Sequence, residues 1–168
     1  MGAKAGVSVE EYLSTSYPDL DREYRDGQIV ERSLPDYLHS RTQTLLGVFF
    51  EALRKKLSLY PCSELRLKLR EGLYLIPDVC VFRGALQPIA RLVPAHPPFV
   101  VIEVFSPDDQ MNEVLDKLET FRAWGVPHVW LVNPYSRRMF VYQAGLAEAP
   151  VLAIPELGVE IGPGDIFE

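Results

Sequence analysis

Phe99-Val100-Val101-Ile102-Glu103-Val104-Phe105, followed at once by Ser106-Pro107-Asp108-Asp109, is the stretch whose reading decides the fold. Six of these seven residues before the serine are apolar, with β-branched and aromatic types dominant, so the run predicts a strand buried on both faces. Glu103 stands inside it, between Ile102 and Val104. A carboxylate in that setting is costly, because desolvating a charge costs several kcal/mol unless something compensates it. Asp78 keeps similar company, with Leu75-Ile76-Pro77 before it and Val79-Cys80-Val81-Phe82 after it. One buried acid can be half of an ion pair. Two strand carboxylates imply a site that gathers negative charge to hold a cation.

Working outward, the 168 residues are 48% hydrophobic and 24% charged, which predicts one domain over 1–168 with a substantial core. No apolar stretch approaches the roughly 20 residues of a membrane span. Met1-Gly2-Ala3-Lys4-Ala5-Gly6 lacks the apolar core of a signal peptide, so a cytoplasmic setting is expected. Cys62 and Cys80 are too few for a disulfide framework, and neither lies in a metal-ligand spacing; Cys80 reads as a small buried hydrophobe. A net charge of −6 counts against nonspecific coating of nucleic acid, which rests on neutralised phosphates. It leaves room for a nuclease, since the acids of a metal site add to the total.

Upstream, Ser8-Val9-Glu10-Glu11 has the form of a capping box and predicts a short helix to about Leu13. Asp26-Gly27 between Glu23-Tyr24-Arg25 and Gln28-Ile29-Val30-Glu31 predicts a hairpin. Asp36 is placed to cap a helix from Tyr37 to about Leu59, with a stripe of Leu38, Leu45, Leu46, Phe49, Phe50, Leu53 and Leu57 and a basic end at Arg54-Lys55-Lys56. His39 near its start reads as a solvated or capping polar residue, or else as part of the site. From Glu64 the period changes to two, with Leu65, Leu67 and Leu69 alternating with Arg66, Lys68 and Arg70. The basic face is solvated or meets phosphates. After Glu71-Gly72, Leu73 to Phe82 predicts one returning strand that carries Asp78, and a proline-punctuated connection covers Arg83 to Pro98.

Downstream, a helix is expected from about Asn112 to Trp124, closed by Gly125-Val126-Pro127. At about 100° per residue, Val114, Phe121 and Trp124 all fall within roughly 60° of Lys117. Lys117 therefore shares the apolar side, either snorkelling to water or answering the carboxylates. His128 to Val132 and Met139 to Gln143 predict further strands, with a turn at Asn133-Pro134-Tyr135-Ser136 and a short strand with a closing turn in the tail. The fold class is α/β (α+β): a mixed central sheet with a helix on each side.

Pro77-Asp78, Val101-Ile102-Glu103-Val104 with Ser106-Pro107, Lys117-Leu118, and Gly125-Val126-Pro127 with Trp130-Leu131-Val132 resemble, in that order, the signature of the Uma family. Glu23-Tyr24-Arg25-Asp26-Gly27 and His39 match its N-terminal pattern, so the resemblance runs from about residue 8 to the end. Members are grouped with the restriction endonucleases, in the superfamily with a Pro-Asp…Glu-x-Lys active site. The resemblance implies a restriction-endonuclease-like core, Asp78 and Glu103 as metal-binding acids, and Glu23 as an additional acid near the metal. The superfamily lysine usually stands two positions after the glutamate, where this chain has Phe105. The resemblance implies its relocation to Lys117, in agreement with the inward placement above. Glu113 and Asn133 depart from the aspartates common in the family.

The chemistry implied is hydrolysis of DNA phosphodiesters with Mg²⁺, for which Mn²⁺ can substitute, on Asp78, Glu103 and Lys117, with a homodimer as a reasonable assembly. A noncatalytic nucleic-acid-binding or assembly module of the same fold, and a hydrolase of another phosphoester, are the alternatives. If the two acids converge without metal, their repulsion is expected to strain the fold, so that Asp78→Asn raises the melting temperature.

Overall fold

The computed structural model describes residues 6–167. Positions 1–5 and Glu168 lie outside the described residues. The chain opens with helix α1 (Val9–Ser14), the hairpin of β1 (Glu23–Arg25) and β2 (Gln28–Val30), and the long helix α2 (Tyr37–Leu57). Four strands follow: β3 (Leu59–Ser63), β4 (Leu67–Arg70), β5 (Leu73–Leu75) and β6 (Val79–Arg83). An irregular connection leads to β7 (Val100–Val104), helix α3 (Met111–Trp124) and β8 (His128–Asn133). Strands β9 (Arg138–Tyr142), β10 (Leu146–Glu148), β11 (Leu152–Ile154) and β12 (Val159–Ile161) come next, then helix α4 (Pro163–Ile166).

Local chemistry places the ends of these elements. Ser8 and Asp36 cap α1 and α2 by accepting the Glu11 and His39 N–H groups, each cap being worth ~1 kcal/mol. Asp26 and Gly27 both take positive φ, the twist that a two-residue hairpin loop needs. Gly125 ends α3 in the left-handed conformation at φ 109°, where a side chain would be strained.

β10-β9-β8-β7-β6-β3 form a six-stranded sheet in which only β7 and β8 run parallel, joined by the α3 crossover. The alternation of strand side chains sorts its two faces. Val79, Val81, Val100, Ile102, Val104, Trp130 and Val132 pack with Leu46 and Phe50 of α2, together with the β11-β12 hairpin and α4. Cys80, Phe82, Val101, Val129 and Leu131 pack with Leu118 and Phe121 of α3. A mixed sheet between helices is thus the observed class, and β7 is buried along its whole length. A second, antiparallel sheet has the order β2-β1-β5-β4. Among the described residues no helix is long and apolar enough to cross a membrane.

Three expectations need correction. Leu73 to Phe82 is two strands in different sheets, because Pro77 cannot donate to a ladder; Ile76-Pro77-Asp78 carries the chain from one sheet to the other. α2 ends at Leu57, and Ser58, at positive φ, turns the chain so that Leu59 opens a strand. The buried stripe of α2 is His39, Thr42, Leu46 and Phe50, whereas Leu38 is 41% exposed. The basic residues of β4 and its approach pair with acids at the surface, Arg66 with Asp21, Lys68 with Glu71 and Arg70 with Asp26, in keeping with a solvated face.

Candidate active site

Strand register brings the two acids together. β6 and β7 run antiparallel with Val79 opposite Ile102, so one step further along that register sets Asp78 opposite Glu103. Asp78 Oδ2 accepts the Val104 N–H at 2.7 Å. The two residues are only 6% and 8% exposed. Glu103 shares its sheet face with Val101, the face covered by α3. From α3, Lys117 Nζ lies 3.1 Å from Glu103 Oε2, 2.8 Å from Glu23 Oε1 and 2.9 Å from the Ile76 carbonyl oxygen. An ammonium has three donors, and all three are engaged. Glu23 Oε1 also accepts the Ile76 N–H at 2.9 Å. The peptide that crosses between the sheets is therefore held at both of its polar groups, by the residues that surround Glu103.

A second group of side chains surrounds Asp78. His39 Nε2 lies 3.4 Å from its Oδ2 and Arg32 Nη2 3.3 Å from its Oδ1, while Gln43 Nε2 donates to its backbone carbonyl at 2.9 Å. His39 is 5% exposed, which corrects the solvated reading: the phase of α2 turns it inward in the place the sequence assigned to Leu38. Lys117 likewise does not snorkel, since its amine meets carboxylates on the covered side of α3. Asp109 closes the far end by accepting the Ser106 N–H at 2.8 Å and the Ser33 hydroxyl at 2.7 Å. A cleft of ≈ 310 Å³ joins these groups, lined by Glu23, Arg32, His39, Asp78, Glu103, Asp109 and Lys117 among others.

The electrostatics separate the two acids. Burial pushes the Glu103 carboxyl up to about 8; Lys117 opposes this, while the Asp78 and Glu23 charges add to it. Burial would raise Asp78 too, but the His39 hydrogen bond and the His39, Lys117 and Arg32 charges hold it below its ordinary value. Burial disfavours the His39 and Lys117 cations, yet Asp78 raises His39, and Glu103, Glu23 and Asp78 raise Lys117. Several carboxylates share one lysine, and the proton settles on the acid with the poorest solvation. Asp78 is the stabilised anion. Glu103 carries the strain.

The donor chemistry can be tested against a divalent cation. Among the described residues no three His, Cys, Asp or Glu side chains form a ready ligand set. The cleft offers instead two carboxylates, Glu103 on β7 and Asp78 just before β6, and Glu103 Oε1 is buried with no hydrogen-bond partner among the described residues. An oxygen pair with one unsatisfied acceptor fits a hard cation that keeps several of its waters. Asp78 is less free, since both of its oxygens have protein partners.

Asp78, Glu103, Lys117, Glu23 and His39, singled out by sequence, all line this one cleft. Arg32 and Gln43 were missed. Arg32 lies in an irregular loop after β2 and carries no periodic or motif signal; Gln43 is one polar residue among several on α2. Asn133 uses its Oδ1 to accept the Tyr135 and Ser136 N–H groups, a turn cap that an asparagine serves.

The family described as "Uma2: Putative restriction endonuclease" has a sequence profile that matches residues 9–163. Among solved structures, the fold is similar to the crystal structure of a putative nuclease belonging to DUF820 from Anabaena variabilis ATCC 29413. That match has a TM-score of 0.80 at 22% identity and covers 95% of this chain and 97% of that one. It shows the fold. A cryo-EM structure of a DrdV–DNA complex matches with a TM-score of 0.39 at 20% identity, over 74% of this chain and 10% of that one. No curated protein matches by sequence.

Proposed function

From the premise that the chain belongs to the Uma2 family, we propose that it is a metal-dependent endonuclease that hydrolyses DNA phosphodiester bonds with Mg²⁺. One observation carries the reading: Glu103, buried on a central strand, has one oxygen on Lys117 and the other without a partner among the described residues, beside Asp78. A pair made for stability would leave no buried acceptor unsatisfied. In this reading Asp78 and Glu103 hold the cation, which when bound supplies Lewis-acid polarisation of the phosphate and a more acidic water. Lys117 is kept as a cation by its carboxylate neighbours, so it suits charge offset and orientation of the water rather than proton abstraction. Glu23 fixes the Lys117 amine, and His39 fixes Asp78, in place for the reaction. Two copies, one for each strand, suit double-strand cleavage.

A noncatalytic nucleic-acid-binding or assembly module is the second reading, favoured by the full engagement of the Asp78 oxygens. Plasmid DNA separates the two. Nicking or cleavage is expected with Mg²⁺ or Mn²⁺ and none in excess chelator. Activity undiminished in chelator sinks the metal mechanism, and purified protein inert with every divalent cation favours the module.

A further inference from the structure

We propose that Arg32 holds the substrate phosphate, and that in the free protein its guanidinium is parked on the carboxylate that the cation needs. This rests on the nuclease reading and names a residue for its substrate. Arg32 lines the same cleft as Asp78, Glu103 and Lys117. Its side chain is 9% exposed, yet its contacts are poor for so buried a charge. Nη2 stands 3.3 Å from Asp78 Oδ1, longer than the ~2.7–2.9 Å usual for a charged pair. Nη1 stands 3.7 Å from Glu64 Oε2 and is buried with no hydrogen-bond partner among the described residues.

The other arginines near the site and on the second sheet make a useful contrast. Arg66 meets Asp21 at 2.5 and 2.6 Å, and Arg70 meets Asp26 at 2.8 and 2.9 Å, both through close contacts to a single carboxylate. Arg32 is instead spread loosely over two acids. Arg25 Nε and Arg66 Nε are also buried without a partner among the described residues, so the spare donor alone does not single out Arg32. Its long contact to Asp78 inside the cleft does, and its planar fork suits two oxygens of one phosphate. Asp78 would be one of the residues to hold a cation, and Arg32 would then compete with it for that carboxylate while leaving its guanidinium, in the same cleft, for a phosphate. The arrangement makes Arg32 a competitor of the metal before substrate arrives and a partner of the phosphate afterwards.

The test uses the full chain, wild type against Arg32→Gln and Arg32→Lys. DNA binding is followed by anisotropy of a short fluorescein-labelled duplex in Ca²⁺ over a range of salt, and Mn²⁺ uptake without DNA by calorimetry. Arg32→Gln is expected to bind the duplex about 10-fold more weakly or worse, with the salt slope reduced by about 0.9. Its Mn²⁺ affinity should equal or exceed that of wild type. Arg32→Lys should keep the salt slope and recover only part of the affinity. An unchanged salt slope in Arg32→Gln overturns the assignment, as does Mn²⁺ uptake that falls together with the melting temperature, the mark of a structural partner of Asp78. Wild type that binds no duplex at all overturns the nuclease reading itself, and this proposal with it.

Discussion

The two faces of the six-stranded sheet are built from the same strands and differ by one residue of register. On the α2 face, Val79, Ile102 and Val104 meet Leu46 and Phe50 in an unbroken apolar layer. On the α3 face, Cys80 and Val101 continue such a layer, but further along β7 it gives way to Glu103, beside Asp78 just before β6, which also meets His39 from α2. Parity decides which is which. A slip of one residue in β7 would send Glu103 into the α2 core and Ile102 to Lys117. The comparison teaches that the apolar face holds the frame rigid, and this rigidity permits the other face to keep an acid with a raised pKa and an unpartnered oxygen.

The sharpest test substitutes the polar face. Asp78→Asn and Glu103→Gln should each abolish detectable cleavage and weaken Mn²⁺ uptake. Lys117→Met should lower cleavage by about 10²–10³-fold while metal uptake stays near that of wild type. Calorimetric titration separates the roles. Loss of Mn²⁺ binding in Lys117→Met would place the lysine in the frame and not in the chemistry.

A smaller effect is expected from the apolar face. Ile102→Ala removes a fully buried side chain of β7 from the layer it forms with α2 and should cost about 2–5 kcal/mol of stability. Cleavage per folded molecule should fall little, since Ile102 points away from the cleft. Urea titration gives the first quantity, and activity scaled to the folded fraction gives the second. A specific activity that collapses with Ile102→Ala would mean that the two faces are not separable.

Much of this division was legible before any coordinates. Glu103 stood out because a charge in a β-branched run conflicts with its setting, and Lys117 because helical phase put it among apolar residues. The same phase argument misplaced Leu38, since one turn at a helix start does not fix the stripe and His39 took the inward position. The break at Pro77 was visible as a proline in a strand pattern, but which sheet each half would join depended on pairing partners distant in sequence. Arg32 was not legible for the same reason. It reaches Asp78 across 46 positions, from a loop with no periodicity to read.

The last expected effect asks which acid stores the strain, and here the structure reverses the reading of the sequence. Repulsion between two acids alone predicted that Asp78→Asn would raise the melting temperature. Asp78, however, accepts a backbone N–H and faces Arg32 and His39, which hold its carboxyl below the ordinary value. An acid with a lowered folded pKa contributes stability above its unfolded pKa and loses it as pH falls through the folded one. Asp78→Asn should therefore destabilise the metal-free protein at neutral pH. Glu103 behaves in the opposite sense. Burial raises its folded pKa to about 8 from the ordinary 4.5, so between these values its folded state keeps a proton that the unfolded state has released. Its favourable share is complete below the unfolded value and is lost as pH rises through about 8. Glu103→Gln mimics the protonated acid and removes that loss, so in chelator it should gain several kcal/mol near pH 8 and almost nothing near pH 4.5. Thermal melts of wild type, Asp78→Asn and Glu103→Gln across this range decide the matter. A Glu103→Gln effect that stays flat with pH would show that the folded carboxyl keeps its ordinary pKa, and a loss at neutral pH would mark an ordinary ion pair with Lys117; in either case the contrast between the two acids would disappear.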